Sequence, residues 1–283
     1  MEVEMNRLWK GICALTIVGA TMGNQIADAA GRITVKGSDT LVILAQRWAE
    51  TYMKKTPRMK IQVTGGGSGT GIAALINGTT DICNSSRALK NAEITRVQQR
   101  WKKVPYETKC AKDGITIYAH KSNPVPSLTL QQLSDIYTGK VSNWKQVGGK
   151  DMKITRYSRE NNSGTYVFFK EHVMKKQDYH SSCQNMPGTA AIVNAVAKDA
   201  TGIGYGGAAY AKGIKVVPVK ADSKSAACTP TAANVKSGKY PISRYLFMYT
   251  RGAPTGVVKK YVDWCLSSEG QKIVSQVGYF PVK

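Results

Sequence analysis

The chain has 283 residues, enough for one large or two modest domains. Hydrophobic residues make up 42% of it and permit a sizeable core, while 40 Lys and Arg against 18 Asp and Glu leave a net charge of +22. Such a charge suits a solvated surface or a long-range field that draws in small anions. It does not indicate nucleic-acid binding, because the chain reads as exported and carries no RNP, zinc-finger or helix-turn-helix pattern.

The export signal comes first in the chain. Asn6 to Lys10 is a basic start, Ile12 to about Met22 is apolar, and Ala27-Asp28-Ala29 is an A-x-A cleavage site. Residues 1–29 therefore read as a secretory signal peptide, too short and wrongly flanked to span a membrane. Glu2 and Glu4 are unusual there, so translation starting at Met1 or at Met5 stays open. Cys13 is not a lipoprotein cysteine, since Lys10-Gly11-Ile12 precedes it. Without residues 1–29, which hold Glu2, Glu4, Asp28, Arg7 and Lys10, 38 basic residues face 15 acidic ones, a balance of +23.

Arg32 to Lys36 alternates as a strand, and Gly37 ends it. Leu41, Leu44, Ala45, Trp48 and Tyr52 mark one face of a helix that Pro57 stops. Lys60 to Val63 is a second strand, Ile72 to Ile76 a short helix and Thr80 to Asn84 a third strand. Strand and helix alternate here as in a largely parallel α/β sheet. A charged helix spans 91–103, a strand 114–119, and a helix runs from Ser127 through Tyr137. Ile154 to Ser158 is a strand, followed by helices at 166–176 and 188–198 and a small-residue strand at 202–205. Lys215 to Val219 returns the chain, 222–239 is loop-rich, Tyr245 to Thr250 is a strand, and helices at 255–266 and 268–277 complete it. The expected organisation is two α/β lobes: residues 30–116 with 220–283, and residues 117–219.

Three segments share one design, a Ser/Thr/Gly turn leading into an apolar-periodic stretch: Gly37-Ser38-Asp39-Thr40, Gly65 to Gly71, and Arg159 to Thr165. Each reads as a helix N-terminus, where free N–H groups and the helix dipole favour anions. The glycine run lacks both the dinucleotide fingerprint and a Gly-Lys-[ST] ending, so it is either a plain turn or an oxyanion loop. Ser163-Gly164-Thr165 can cap its helix or donate to a ligand. Arg159 is either a fork-shaped donor to two oxygens of one anion or the partner of Glu160 or Asp178. Ser85-Ser86-Arg87 is a turn, or the rim of a site at a strand end. Asp39 can cap the helix that follows it.

No catalytic constellation stands out. His120, His172 and His180 bear no recognisable relation to a nucleophile, and neither a G-x-S-x-G elbow nor H-E-x-x-H occurs. No C-x-x-C or H-x-x-H spacing suggests zinc. Five cysteines remain after the signal peptide. Export permits disulfides, with Cys83–Cys110 and Cys183–Cys228 the expected pairs and Cys265 left free on a C-terminal helix.

These blocks, in this order, resemble the substrate-binding proteins of phosphate ABC importers. The carriers are GSDTL (37–41), GGGSGTG (65–71), DICNSSR (81–87), SRENNSGT (158–165), IGYGGAAYAKG (203–213), YPISRYLFMYT (240–250) and LSSEGQKIVSQVGYFPV (266–282). The resemblance implies a type II periplasmic-binding-protein fold, two α/β lobes with a hinge and an interlobe cleft. It implies a monomeric, periplasmic, non-enzymatic receptor without cofactor or metal, whose partners are inner-membrane permease subunits and a cytoplasmic ATPase. Carried over by position, the phosphate contacts are Ser38, Thr40, Leu41 through its N–H, Ser68, Ser86, Arg87, Arg159, Ser163, Gly164 and Thr165. Many members place an aspartate after the third strand to accept the proton on phosphate, whereas this chain has Ser86 there, so Asp39 or Glu160 is the expected acceptor. The alternatives are a receptor for another oxyanion, sulfate or molybdate, and a secreted phosphatase.

Overall fold

The structure is a computed structural model that describes residues 31–282, and the segment read as a signal peptide lies outside them. β1 (Gly31–Gly37) leads through a 3-10 turn at Asp39–Leu41 into α1 (Val42–Lys55), then β2 (Met59–Gly66), α2 (Ser68–Asn77), β3 (Ile82–Ser85) and α3 (Asn91–Trp101). β4 (Tyr106–Ala119) is the long strand of the molecule. After it come β5 (Leu128–Thr129), α4 (Leu130–Tyr137), β6 (Thr155–Arg159), α5 (Gly164–His172), β7 (Gln184–Met186), α6 (Gly188–Lys198) and β8 (Gly202–Gly207). The chain closes with β9 (Lys215–Val217), β10 (Val219–Lys220), α7 (Ala232–Lys236), β11 (Ser243–Thr250), α8 (Gly256–Cys265) and α9 (Ser268–Val277).

The main sheet is mixed, in the order β2-β1-β3-β11-β4-β8-β6-β7, with β9 also on β4 and β10 pairing β5 apart from it. β1 is parallel to β2 and β3, and β6 is parallel to β7 and β8. β11 and β4 run antiparallel between these two parallel groups. Each group is a small α/β unit around its own core. In the first, Ile33 and Val35 of β1 pack with Leu44 and Trp48 of α1, Leu246, Tyr261 and Val274. Trp48 also ties α1 to α9, donating its indole N–H to the Gly270 carbonyl at 2.8 Å. In the second, Ile117, Tyr137, Trp144, Phe169 and Tyr205 pack together, and the Phe169 and Tyr205 rings stack at 4.1 Å.

β4 joins the two units. Tyr106 to Gly114 pairs with β11, and Ile115 to Ala119 pairs with β8 and β9. The return is at β11, whose Ser243 faces Gly114. Residues between β10 and β11 stay with the second unit: Cys228 bridges Val219, while Val235, Tyr240 and Ile242 belong to the second core.

Several elements differ from the sequence expectation. β4 begins eight residues before Gly114 because Lys109 and Lys112 mask its pattern; both ammonium groups lie over the Tyr245 ring, at 4.6 and 5.2 Å. α2 starts at Ser68 rather than Ile72, so most of the glycine run is the first helical turn. Ser127 opens no helix; Leu128 and Thr129 pair with β10, and Thr129 caps α4 by accepting from the Gln132 N–H at 3.0 Å. β7 went unrecognised because its three residues, two of them polar, form a short, largely exposed edge strand.

The expected disulfides are absent: Cys83, Cys110, Cys183, Cys228 and Cys265 are all free thiols. β11 lies between the strands of Cys83 and Cys110, which puts their backbones at least about 9 Å apart, beyond disulfide reach of about 7 Å. Cys183 turns its thiol to the Tyr137 carbonyl and Cys228 to that of Ala226. Burial pushes the Cys83 thiol up and that of Cys110 to about 12. Cys265 ends α8 and is buried, as expected.

Candidate anion-binding cleft

Four strand ends meet between the two units. β1 delivers Ser38 to Leu41, β2 delivers α2 with Ser68 at its start, β3 delivers Ser86, and β6 delivers Arg159 and the turn into α5. Carboxyl ends of parallel strands are where open α/β sheets bind ligands. Ser38, Thr40, Ser68, Ser86, Arg159, Ser163 and Thr165 are all buried, Arg159 to 1% exposure.

The hydroxyls converge. Thr40 Oγ1 lies 3.0 Å from Thr165 Oγ1, joining the two units, and Ser68 Oγ lies 3.3 Å from Ser86 Oγ. Gly164 closes the group: a Cβ there would stand 2.4 Å from Ser68 Oγ and 2.6 Å from Ser86 Oγ. Ser68 accepts from the Ser86 N–H at 3.0 Å. Ser163 caps α5, accepting from Thr165 N at 3.2 Å and Tyr166 N at 3.4 Å. Both hydroxyls are thereby left with a hydrogen to donate elsewhere.

Arg159 reaches from β6 across the cleft. Its Nη2 donates to Asp39 Oδ2 at 2.6 Å and its Nη1 to Thr189 Oγ1 at 3.0 Å. Asp39 Oδ1 accepts the Gly66 N–H at 2.8 Å, and the Asp39 carbonyl accepts the Tyr210 hydroxyl at 2.6 Å. Burial pushes the Tyr210 phenol up to about 12, so it stays a neutral donor. Arg159 Nε and Ser38 Oγ are buried without a hydrogen-bond partner among the described residues.

Other expected residues lie elsewhere or act differently. Arg87 does not turn to the hydroxyls; Glu93 takes its guanidinium through two bonds of 2.8 and 2.7 Å. It borders a separate cavity of about 400 Å³ with Leu89, Phe168 and Phe247. The Leu41 N–H donates to the Ser38 carbonyl at 3.0 Å within its own turn, and its side chain is core. Glu160 is half-buried, and its carbonyl accepts the Ser163 N–H at 2.9 Å. Asp39 pairs with Arg159 instead of Glu160 or Asp178 doing so. The histidines are apart from the cleft: His120 and His180 bond Ser122 and Ser182, and His172 bonds the Phe168 carbonyl.

A second arginine was missed. Arg244 of β11 has a side chain only 2% exposed and pairs with Asp113, which is 0% exposed, at 3.0 Å. It donates to the Ser86 carbonyl and to Thr165 Oγ1, both at 2.9 Å. The available signal was a lone cation on the inward side of an apolar strand, which demands a buried partner.

The arrangement supplies hydrogen-bond donors at short range and an arginine with a spare donor. It has no histidine, and no group of acidic, histidine or cysteine side chains that could hold a metal occurs among the described residues.

A family model described as a PBP superfamily domain matches residues 23–269. The phosphate-binding protein PstS of Pseudomonas aeruginosa is 31% identical, over 98% of this chain and 95% of its own. That of Bacillus subtilis is 32% identical over 90% of this chain and 82% of its own. Among solved structures, a phosphate ABC transporter substrate-binding protein of Clostridium perfringens with bound phosphate superposes with a TM-score of 0.81 at 32% identity, covering 89% of this chain and 100% of that one. An ABC-type phosphate transport receptor of Vibrio cholerae gives 0.71 at 27% identity, with 88% and 99% covered. The two units joined through β4 and β11 are thus the lobes of a type II periplasmic-binding-protein fold. The chain belongs to the PstS family of phosphate-binding proteins.

Proposed function

We propose that the protein is the receptor of a phosphate ABC importer, capturing inorganic phosphate between its lobes and delivering it to membrane permease subunits coupled to a cytoplasmic ATPase. The observation that carries this reading is the pair of unpartnered buried groups, Arg159 Nε and Ser38 Oγ, beside the converging hydroxyls of Thr40, Ser68, Ser86 and Thr165. An unpaired buried polar group costs about 1–3 kcal/mol, so a site that keeps two is suited to an anion with several acceptor oxygens. Gly164 lets the Ser68 and Ser86 hydroxyls come close to the start of α5, where Ser163 Oγ adds a donor.

Asp39 is the acceptor for the proton that phosphate carries near neutral pH. Each of its oxygens accepts one hydrogen bond, leaving a lone pair free, and the Gly66 N–H holds the carboxylate in place. The lobes comprise residues 31–114 with 243–282, and residues 115–242, so that β4 and β11 form the hinge. The protein acts as an exported monomer in the periplasm after loss of residues 1–29, and its +23 charge raises the encounter rate with anions.

The test is calorimetry on mature protein, stripped of ligand by unfolding and refolding and titrated with phosphate and then sulfate. Micromolar or tighter phosphate binding with weaker sulfate binding supports the reading. A preference for sulfate would keep the cleft and discard the cargo, and turnover of a chromogenic phosphate ester would revive the enzyme alternative.

A further inference from the structure

Ser68 does not account for the whole glycine run. The run is tied to Asn162 on the other lobe by three hydrogen bonds. The Gly69 N–H donates to the Asn162 carbonyl at 2.8 Å. Asn162 Nδ2 donates to the Gly66 carbonyl at 3.1 Å and to Thr70 Oγ1 at 3.2 Å. A Cβ on Gly67 would stand 2.9 Å from the Asn162 carbonyl oxygen, and one on Gly69 3.1 Å from it. Glycine at these positions is what lets Asn162 settle on the backbone. None of the three bonds uses a cleft hydroxyl or Arg159.

The contact also limits itself. Two acceptors on Nδ2 set the orientation of the amide, because the opposite flip would place Oδ1 against the Gly66 carbonyl. Asn162 Oδ1 is then buried with no partner among the described residues. That unpaired acceptor offsets part of what the donors contribute.

We propose that Asn162 is a positioning residue that latches the lobes over the bound anion, and that its unpaired Oδ1 keeps the latch weak enough to open. The ligand half of this inference rests on the phosphate-receptor reading; the latch itself can be read without ligand. In wild type, Asn162→Ala and Asn162→Asp, stopped-flow phosphate association and release would be measured, with amide hydrogen exchange at Gly69 in ligand-free protein. Asn162→Ala is expected to speed release ~10-fold while association changes little, and to speed Gly69 exchange in step, with the melting temperature unchanged. Asn162→Asp, which sets a carboxylate against the Gly66 carbonyl, is expected to exceed it. Gly69→Ala approaches from the facing side and is expected to give the same signature. Release and Gly69 exchange at wild-type rates in Asn162→Ala would overturn the latch. Wild-type protein that binds no phosphate would instead refute the receptor reading, and Gly69 exchange would still decide the latch.

Discussion

Gly164→Ala separates binding from folding more cleanly than any change to a charged group. Gly164 opens α5 with no positive φ, so alanine fits the backbone there, and helix propensity makes it neutral or favourable by up to about 1 kcal/mol. In the closed cleft its methyl would stand 2.4 Å from Ser68 Oγ and 2.6 Å from Ser86 Oγ, both on the other lobe. Overpacking of this kind typically costs about 1–3 kcal/mol. That cost falls on the closed form, in which the anion is held, and not on the open form, so it weakens phosphate binding by roughly 5- to 150-fold, at about 1.4 kcal/mol per tenfold. Calorimetry gives the affinity, and thermal melts with and without phosphate give the stability. The expected result is an unchanged or raised ligand-free melting temperature and a much smaller increase on adding phosphate. Wild-type affinity in this variant would refute the placement of the anion beside Gly164.

Arg159→Met removes the arginine with a spare donor and strands Asp39, so phosphate affinity is expected to fall by about 100-fold or more by calorimetry. Asp113→Asn breaks the buried pair with Arg244, and urea unfolding is expected to show a loss of about 3–5 kcal/mol. Glu93 titrates below the usual glutamate range: burial would raise it, but the bonds from Arg87 and the Lys90 N–H outweigh that. Its contribution is therefore complete above the normal glutamate pKa and disappears as pH falls through the lowered folded value. The stability gap between wild type and Glu93→Gln should be present at neutral pH and close in acid. Finally, thiol titration of the unfolded chain lacking residues 1–29, without reductant, should count five free thiols; three would restore one disulfide.

Much of the cleft was legible because its residues sit in local turn chemistry at strand ends. Arg159 ends a strand; Ser38, Thr40, Ser68, Ser86, Ser163, Gly164 and Thr165 each follow one by a few residues, and the structure brings them together. What escaped is long-range. Arg244 meets Asp113 131 positions away, and Asn162 meets Gly66 96 positions away; no local periodicity carries such pairs. Arg87 was misplaced because only the folded α3 brings Glu93 to it. The disulfide expectation failed on topology, since a strand from the far end of the chain inserts between β3 and β4. The start of β4 was hidden by lysines that pack over a tyrosine from that same strand.

On the proposed function, the anion lies between the lobes, held by hydroxyls of both and by Arg159. A crystal structure of the mature protein grown with phosphate tests it most directly. Phosphate density is expected beside Gly164, within hydrogen-bond reach of Arg159 Nε, Ser38 and Ser68. Phosphate bound elsewhere, such as the cavity beside Arg87 and Phe168, with the cleft unoccupied, would contradict it.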